Sequence, residues 1–119
     1  MSGRDGDEDE IFEILDDGYA RDILIETRSG PVSADELSEV CDVSPSTVYR
    51  RVERLQEHDL LEGQQRLDPD GHHYEVYTAR LQRVTVELTE DGFIVEIDRT
   101  EPADAADRFT ELFEELSGE

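Results

Sequence analysis

Hydrophobic residues recur at helical spacing in the middle of the chain. Val48, Val52 and Leu55 are four and three residues apart, which predicts one apolar stripe along a helix. Ser44 suits the N-cap and Pro45 the first helical position, so we expect a helix over residues 44–58. Its opposite side carries hydroxyl, phenol and guanidinium groups, on Ser46, Thr47, Tyr49, Arg50, Arg51 and Arg54. Such a surface is typical of a helix that enters a nucleic-acid groove.

A second short helix is predicted directly before this one. Ser33 and Glu36 have the spacing of a capping box, which marks a helix start. Its inner face is expected to consist of Leu37, Val40 and Cys41. Only Asp42 and Val43 separate the two helices, so the helices must cross steeply. Two short helices joined this tightly indicate a helix-turn-helix, with residues 44–58 as the recognition helix.

After residue 61 the apolar period changes from helical spacing to alternation. Residues 61–67 and 74–79 read as two strands, and the sequence Asp-Pro-Asp-Gly between them favours a turn. This hairpin, residues 61–79, is expected to be the wing of a winged helix, with Arg66, His72 and His73 near its tip. Residues 81–88 and 93–97 predict a second hairpin that follows the wing.

The two ends of the chain differ in pattern. Residues 1–9 are small and acidic and are expected to be a disordered lead-in, followed by a short helix over residues 10–15 and a scaffold helix over residues 19–28. Residues 102–116 have an apolar stripe that could pack on the chain's own core or pair with a second copy. We favour pairing, because two-fold dimers are the commonest oligomers.

These elements together predict an α+β fold. Residues 10–80 would form a winged helix-turn-helix domain. Residues 81–119 would add a β-hairpin and a C-terminal dimerisation helix. A chain of 119 residues is long enough for one domain of this kind and too short for two independent cores.

The charge balance is strongly acidic. The chain has 33 acidic residues against 11 basic ones, a net charge of −22, and all the basic residues are Arg. This composition indicates adaptation to molar salt, where self-repulsion is screened; a partly disordered acidic protein is the alternative. Residues 44–66 are an exception, because their four Arg and four acidic residues cancel. A locally neutral, Arg-rich face is the place where phosphates could approach.

Few residues suggest metal or redox chemistry. Cys41 is the single cysteine, so no intramolecular disulfide is possible, which favours a reducing cytoplasm. We interpret Cys41 as a small buried hydrophobe. His72 and His73 adjoin Asp70, but we interpret this segment as a polar turn and expect no metal and no cofactor. We find neither a catalytic constellation nor a signal peptide or membrane-spanning run, so a soluble protein that is not an enzyme is expected.

The segment ADELSEVCDVSPSTVYRRVERLQEHDLLE, residues 34–62, resembles ArsR-type winged helix-turn-helix regulators, particularly those of halophilic archaea. With the scaffold-helix segment DDGYARDILIETRSG and the start of the wing, the resemblance extends over roughly residues 16–78, about half of the chain. It implies that DNA is contacted by Ser46, Thr47, Tyr49, Arg50 and Arg54. Metal-sensing members carry Cys-x-Cys where this chain has Ser33 and Asp35, so the resemblance implies no metal inducer, and we expect no small-molecule inducer either.

The sequence therefore predicts a transcription regulator that binds double-stranded DNA as a homodimer. Residues 44–58 would enter the major groove and the wing would lie on the backbone. One alternative is a winged-helix protein-interaction module that does not bind DNA. In another, the arginines form a solvated face paired with acidic residues of the same helix and its flank, Glu53, Glu57 and Glu62.

Overall fold

The computed structural model describes residues 4–101, with side chains from residue 8 onward. The elements in chain order are α1 (Arg4–Asp16), α2 (Gly18–Glu26), β1 (Val32–Ser33), α3 (Ala34–Cys41), α4 (Pro45–Glu57), β2 (Leu61–Leu67), β3 (His73–Ala79), β4 (Leu81–Thr89) and β5 (Gly92–Arg99). The predicted α+β winged helix-turn-helix with an additional hairpin is confirmed. The helix expected over residues 102–116 lies outside the described residues.

The helix starts follow from their caps. Ser33 accepts a hydrogen bond from the Glu36 N–H while the Glu36 carboxylate accepts one from the Ser33 N–H, so the predicted capping box is confirmed. Ser44 caps α4 by accepting from the Thr47 N–H, and Pro45 occupies the first turn. Between α3 and α4, Asp42 takes the left-handed conformation with φ of 57°, which turns the chain sharply enough for the helices to cross.

The wing belongs to a three-stranded antiparallel sheet with the order β1-β3-β2. β2 and β3 pair from Leu61 opposite Ala79 to Leu67 opposite His73, as expected of the wing. The sequence pattern did not predict β1, because a strand of two residues is too short to show alternation. Pairing of Val32 with Tyr77 ties the start of α3 to the wing.

One core lies between the helices and the base of the wing. Its fully buried members come from six elements and the loop after α4: Ile11, Ile14, Ala20, Ile23, Leu37, Val48, Val52, Leu55, Leu60, Leu61 and Tyr77. Full burial of each large aliphatic side chain contributes about 1.5–3 kcal/mol. The apolar stripe predicted on α4 is therefore the face that packs this helix against the scaffold.

One predicted core residue is wrongly assigned. Val40 is 58% exposed, whereas Leu37 is fully buried and Cys41 is half-buried. At about 100° per residue, Ala34 and Cys41 lie to one side of Leu37 and Val40 lies to the other. The core contacts the side that bears Ala34 and Cys41, so Val40 faces solvent.

The N-terminal helix is longer than predicted. Residues 1–9 were expected to be disordered and a short helix to begin at residue 10, but α1 begins at Arg4, so the prediction is wrong for residues 4–9. Ile11 and Ile14 are buried and fix one turn of the helix. Once a turn is fixed, each added residue gains a backbone hydrogen bond, so the helix can extend from this turn toward the N-terminus.

The second hairpin, β4 with β5, pairs from Leu81 opposite Arg99 to Thr89 opposite Gly92, with an irregularity between Leu81 and Arg83. Gly92 has φ of 123°, a conformation that favours glycine at the turn. At its base, the Arg99 guanidinium donates to the carbonyl oxygens of His58 and Asp59. These bonds join the hairpin to the C-terminal end of α4.

Candidate nucleic-acid interface

The N-terminal half of α4 presents its polar side to solvent. The Ser44 hydroxyl lies 3.0 Å from the Thr47 hydroxyl and 3.2 Å from that of Ser46, so three hydroxyl groups cluster at the helix start. Backbone N–H groups at a helix start carry partial positive charge and attract anions. This end of α4 is therefore suited to an approaching phosphate.

Tyr49 and Arg50 follow on the same exposed surface. Tyr49 is 54% exposed, and Arg50 is exposed as well. Among the ion pairs of residues 8–101, none includes Arg50. Its guanidinium therefore remains available to an external acceptor, and a guanidinium suits the paired acceptors of a guanine edge.

Arg51 is held inside the fold. Its Nε donates to Oδ2 of Asp17 at 2.7 Å, and its guanidinium carbon lies 5.5 Å from the centre of the Tyr19 ring. Burial alone would raise the pKa of Asp17, but the hydrogen bond and charge of Arg51, together with backbone N–H groups of α2, outweigh it and lower the pKa. Because Asp17 also caps α2, this pair fixes α4 against the scaffold helix.

Arg54 is also paired within the chain. Its Nη2 donates to Oε1 of Glu13 on α1 at 2.7 Å, and its side chain is 36% exposed. Two of the three arginines predicted to contact DNA from α4 thus bind acidic residues of α1 and of the loop before α2. Their partners are not the residues Glu53, Glu57 and Glu62 that the solvated-face alternative named.

A groove of about 580 Å³ separates α4 from the wing. Tyr49 lies on one wall, Gln65 and Tyr74 come from the wing, and Ser33 and Asp35 come from the start of α3. Asp68, His72, His73, Glu75 and Tyr77 complete the lining. The groove therefore has a polar lining with carboxylates next to Tyr49.

Tyr77 forms the floor of this groove. Burial raises the pKa of the Tyr77 phenol far above its ordinary value, and the 2.9 Å hydrogen bond that the phenol donates to Oε1 of Glu75 acts in the same direction. Tyr77 is therefore a neutral donor that holds Glu75, rather than an acceptor for a ligand.

The predicted wing residues are exposed but do not share one surface. His72 and His73 line the groove at the wing tip, and Arg66 is not among its lining residues. Neighbouring residues of a strand point to opposite faces, so Arg66 lies on the opposite face of the wing from Gln65. The structure thus brings Tyr49, His72 and His73 to one groove and leaves Arg66 on the far side of the wing.

Asp68 organises the tip of the wing. Its Oδ1 accepts from the backbone N–H of His72 at 2.8 Å, and Gly71 takes φ of 89°. Ligand atoms of Asp68, Asp70 and His72 lie within 4.8 Å of one another, so these three residues are the ones that could hold a metal ion in the described part of the chain. The hydrogen bond that Asp68 accepts from His72 already closes the turn. This bond accounts for most of the close spacing of the three residues.

Sequence reasoning missed several residues that shape this interface. The sequence pattern does not indicate that Asp17 and Glu13 bind the α4 arginines, or that Nε2 of His58 lies 2.6 Å from Oε1 of Glu10. Each of the three acidic partners precedes the residue that it binds by more than 30 residues. The only sequence signal for them was the acidic character of α1 and of the loop that follows it.

Comparison with protein families gives one match in this region. Residues 15–64 match the model of a family described as a helix-turn-helix domain. The matched residues begin in the last turn of α1, include α2, α3 and α4, and end in β2. The chain therefore contains a helix-turn-helix domain, the DNA-binding unit of many transcription regulators.

A search of curated proteins finds no match to this chain. None of the described helices is both long enough and apolar enough to span a lipid bilayer.

Proposed function

We propose that this protein is a sequence-specific transcription regulator that binds double-stranded DNA as a homodimer. α4 would enter the major groove, and the wing would lie on the sugar-phosphate backbone. The observation that carries this proposal is the contrast along α4. Ser46, Tyr49 and Arg50 face solvent at its N-terminal half, while Arg51 and Arg54 are anchored to the preceding elements.

The proposed roles follow from this contrast. Arg50 and Tyr49 read base edges, while Ser46, Thr47 and the backbone N–H groups at the start of α4 bind phosphate. Arg66, His72 and His73 contact the backbone from the wing. Arg51 and Arg54 act chiefly as positioning residues that fix the angle of α4, and Arg54, which is partly exposed, adds a weak phosphate contact.

We also propose that the protein is an ArsR-like regulator of a halophilic, cytoplasmic type. Support comes from the net charge of −22 without any Lys, from the half-buried single thiol, and from the resemblance over roughly residues 16–78. Ser33 is engaged in the capping box, so it is unsuited to replace a metal ligand. Regulation would therefore proceed without a thiolate metal sensor.

A protein-interaction module remains the second candidate. Asp35, Asp68 and Glu75 line the groove beside Tyr49, and carboxylates at this place oppose the approach of phosphates. A basic peptide would complement the same groove. Binding of such a peptide without any selection of DNA sequence would favour this candidate.

The test begins with selection of binding sites from a random duplex library in molar KCl. Fluorescence anisotropy then compares the selected and a scrambled duplex for the wild type, Arg50→Ala, Arg50→Lys and Glu57→Ala. Arg50→Ala should cost about 1–3 kcal/mol at the selected site and much less on the scrambled one. Arg50→Lys should keep the scrambled affinity and lose discrimination, because an ammonium cannot bind a guanine edge as a guanidinium does.

Glu57→Ala is the matched control, because Glu57 is an exposed residue at the far end of the same helix. It should leave the discrimination between the two duplexes unchanged. An equal loss on both duplexes in Arg50→Ala would reject the base-reading role. Failure of the library to yield any preferred sequence would reject the proposed function itself.

A further inference from the structure

The hairpin formed by β4 and β5 is amphipathic along its whole length. Cross-strand partners on one face are Val84 with Ile97, Val86 with Val95, and Leu88 with Phe93. The opposite face carries mostly polar residues, among them Arg83, Thr85, Glu87, Glu96 and Asp98. A strand pair with one purely apolar face requires a cover for that face, since an isolated hairpin is at best marginally stable in water.

The body of the protein covers only part of the apolar face. Val84, Val95 and Ile97 are half-buried against the core, but Leu88 is 72% and Phe93 is 56% exposed. Phe93 makes one edge contact with Phe12 of α1, with ring centres 6.3 Å apart. The half of the hairpin nearer its turn is therefore uncovered in the described residues.

The uncovered surface continues from the hairpin onto the helices. Phe12 is 38% exposed on α1, and Ile25 is 65% exposed on α2. A groove of about 490 Å³ lies between α2 and β4, lined by Leu15, Leu24, Ile25, Arg28, Leu81, Gln82, Arg83 and Val84. We call the surface formed by Phe12, Ile25, Val86, Leu88 and Phe93, together with this groove, the hairpin face.

Charge is distributed unequally along the hairpin face. Glu90 and Asp91 form the acidic turn at one end, while Arg28 lines the groove at the other; Arg83 lines it too, but its guanidinium is paired with Asp98 at 3.0 Å. In a second copy related by a two-fold axis and lying antiparallel, the acidic turn of each hairpin would meet the basic groove of the other. The hairpin face is thus complementary to itself in charge as well as in polarity.

We propose that the hairpin face joins two copies of this chain across a two-fold axis. With about 200 Å² for a fully exposed large apolar side chain, its exposed side chains offer roughly 500 Å² per copy. Two copies would remove roughly 1,000 Å² from water, the lower limit for a specific interface. This inference deepens the homodimer part of the proposed function and rests on it.

The arrangement leaves the DNA-facing surface free. The groove beside α4 and the groove beside β4 have no lining residue in common. Dimerisation through the hairpin face therefore keeps both recognition helices accessible, and each copy can contact one half-site.

Sedimentation equilibrium of the full chain in molar KCl, without DNA, tests this proposal. The wild type should be dimeric, and Leu88→Glu should weaken the association at least about tenfold, because it buries a carboxylate in an apolar interface. Ile94→Glu is the matched control, since Ile94 is 40% exposed on the opposite face of the same hairpin. It should remain dimeric.

A second variant tests the orientation by charge. Glu90→Arg should weaken the dimer severalfold, and Arg28→Glu in the same chain should restore it, both measured at the lowest salt at which circular dichroism shows a folded chain. Glu90 is exposed in a turn, so this variant keeps the test valid if Leu88→Glu fails to fold. Absence of any effect of either change would overturn the antiparallel arrangement.

Other outcomes assign the face differently. A dimer that persists in Leu88→Glu overturns the hairpin face and leaves the homodimer intact, whereas a monomeric wild type overturns both. Phe109 belongs to the apolar stripe predicted over residues 102–116, so dissociation by Phe109→Glu alone would assign the interface to residues 102–119. If the wild type is a monomer and Phe109→Glu lowers the hydrogen-exchange protection of the hairpin amides, residues 102–119 of the same chain cover the hairpin face. Arg50→Ala should stay dimeric, so loss of DNA binding is distinguishable from loss of the dimer.

Discussion

Nε of Arg51 and Oδ2 of Asp17 are 2.7 Å apart, and this contact joins α4 to the N-cap of α2. Asp17 accepts from the Tyr19 N–H at 3.0 Å with its other oxygen, so one carboxylate serves two helices. The guanidinium also lies over the Tyr19 ring. A residue predicted to contact DNA is thus a structural support for α4, the helix that is proposed to make such contacts.

Asp17→Asn should lower the free energy of unfolding by about 1 kcal/mol. Asparagine still caps a helix but cannot provide the charge that Arg51 binds. Arg51→Ala should cost at least as much, because it loses the ion pair and also the packing against Tyr19. Chemical denaturation of both single variants and of the double variant measures the coupling. Strictly additive losses in the double variant would show that the two side chains do not interact.

The same pair predicts an acid-sensitive contribution to stability. Because the folded-state pKa of Asp17 lies below its ordinary value of 3.8, the contribution is fully present above that value. It is lost as the pH falls through the lowered folded-state pKa. Thermal unfolding of the wild type and of Asp17→Asn from neutral pH to pH 2 measures this loss. The difference between the two proteins should shrink in that acid range, and a constant difference would contradict the pKa assignment.

The backbone organisation was predictable because it depends on local patterns. The caps at Ser33 and Ser44, the stripe of Val48, Val52 and Leu55, and the alternation on either side of the wing turn are all short-range signals. Val40 shows the limit of such signals, because a short helix has several apolar residues and the periodicity alone does not decide which of them faces the core.

The electrostatic character of the interface was much less predictable. Counting charges over residues 44–66 suggested four available arginines, but Arg51 and Arg54 bind acidic side chains from a distant part of the chain. Ion pairs between remote segments depend on how helices cross, and no local pattern encodes that angle. The placement of Arg66 on the far face of the wing follows from strand register in the same way.

Arg54→Ala should distinguish the arginines that support the fold from Arg50, the residue proposed to read base edges. The Arg54–Glu13 pair is largely exposed, so its loss should cost less than about 0.5 kcal/mol of stability. Binding of the selected and the scrambled duplex should weaken by the same small factor, because Arg54 reads no base. Anisotropy titrations alongside Arg50→Ala provide the comparison. A selective loss at the chosen site in Arg54→Ala would make Arg54 a base-reading residue.

Cys41 should react slowly with thiol reagents. It is half-buried, and burial raises the pKa of its thiol above the ordinary value of 9.0, with the charges of Asp22 and Glu26 acting in the same direction. Since the thiolate is the reactive form, iodoacetamide should modify Cys41 more slowly than free cysteine at neutral pH. The modification rate should also begin to rise at a higher pH than the rate for free cysteine does. A rate equal to or above that of the free amino acid would contradict this environment.

The response of DNA binding to salt should be unusual. Each phosphate neutralised by a protein cation normally steepens the fall of affinity with salt by about 0.9 in the slope of log K against log[salt]. Arg50 and Arg66 are the exposed arginines of α4 and the wing that have no ion pair within residues 8–101, so the attractive slope should be no steeper than about −2.

Repulsion between DNA and a chain of net charge −22 weakens as salt screens it, which acts in the opposite direction. Affinity for the selected duplex should therefore stay flat or rise as KCl is increased. A fall with a slope of about −4 or steeper would show that this surface binds phosphates with more cations than the structure provides.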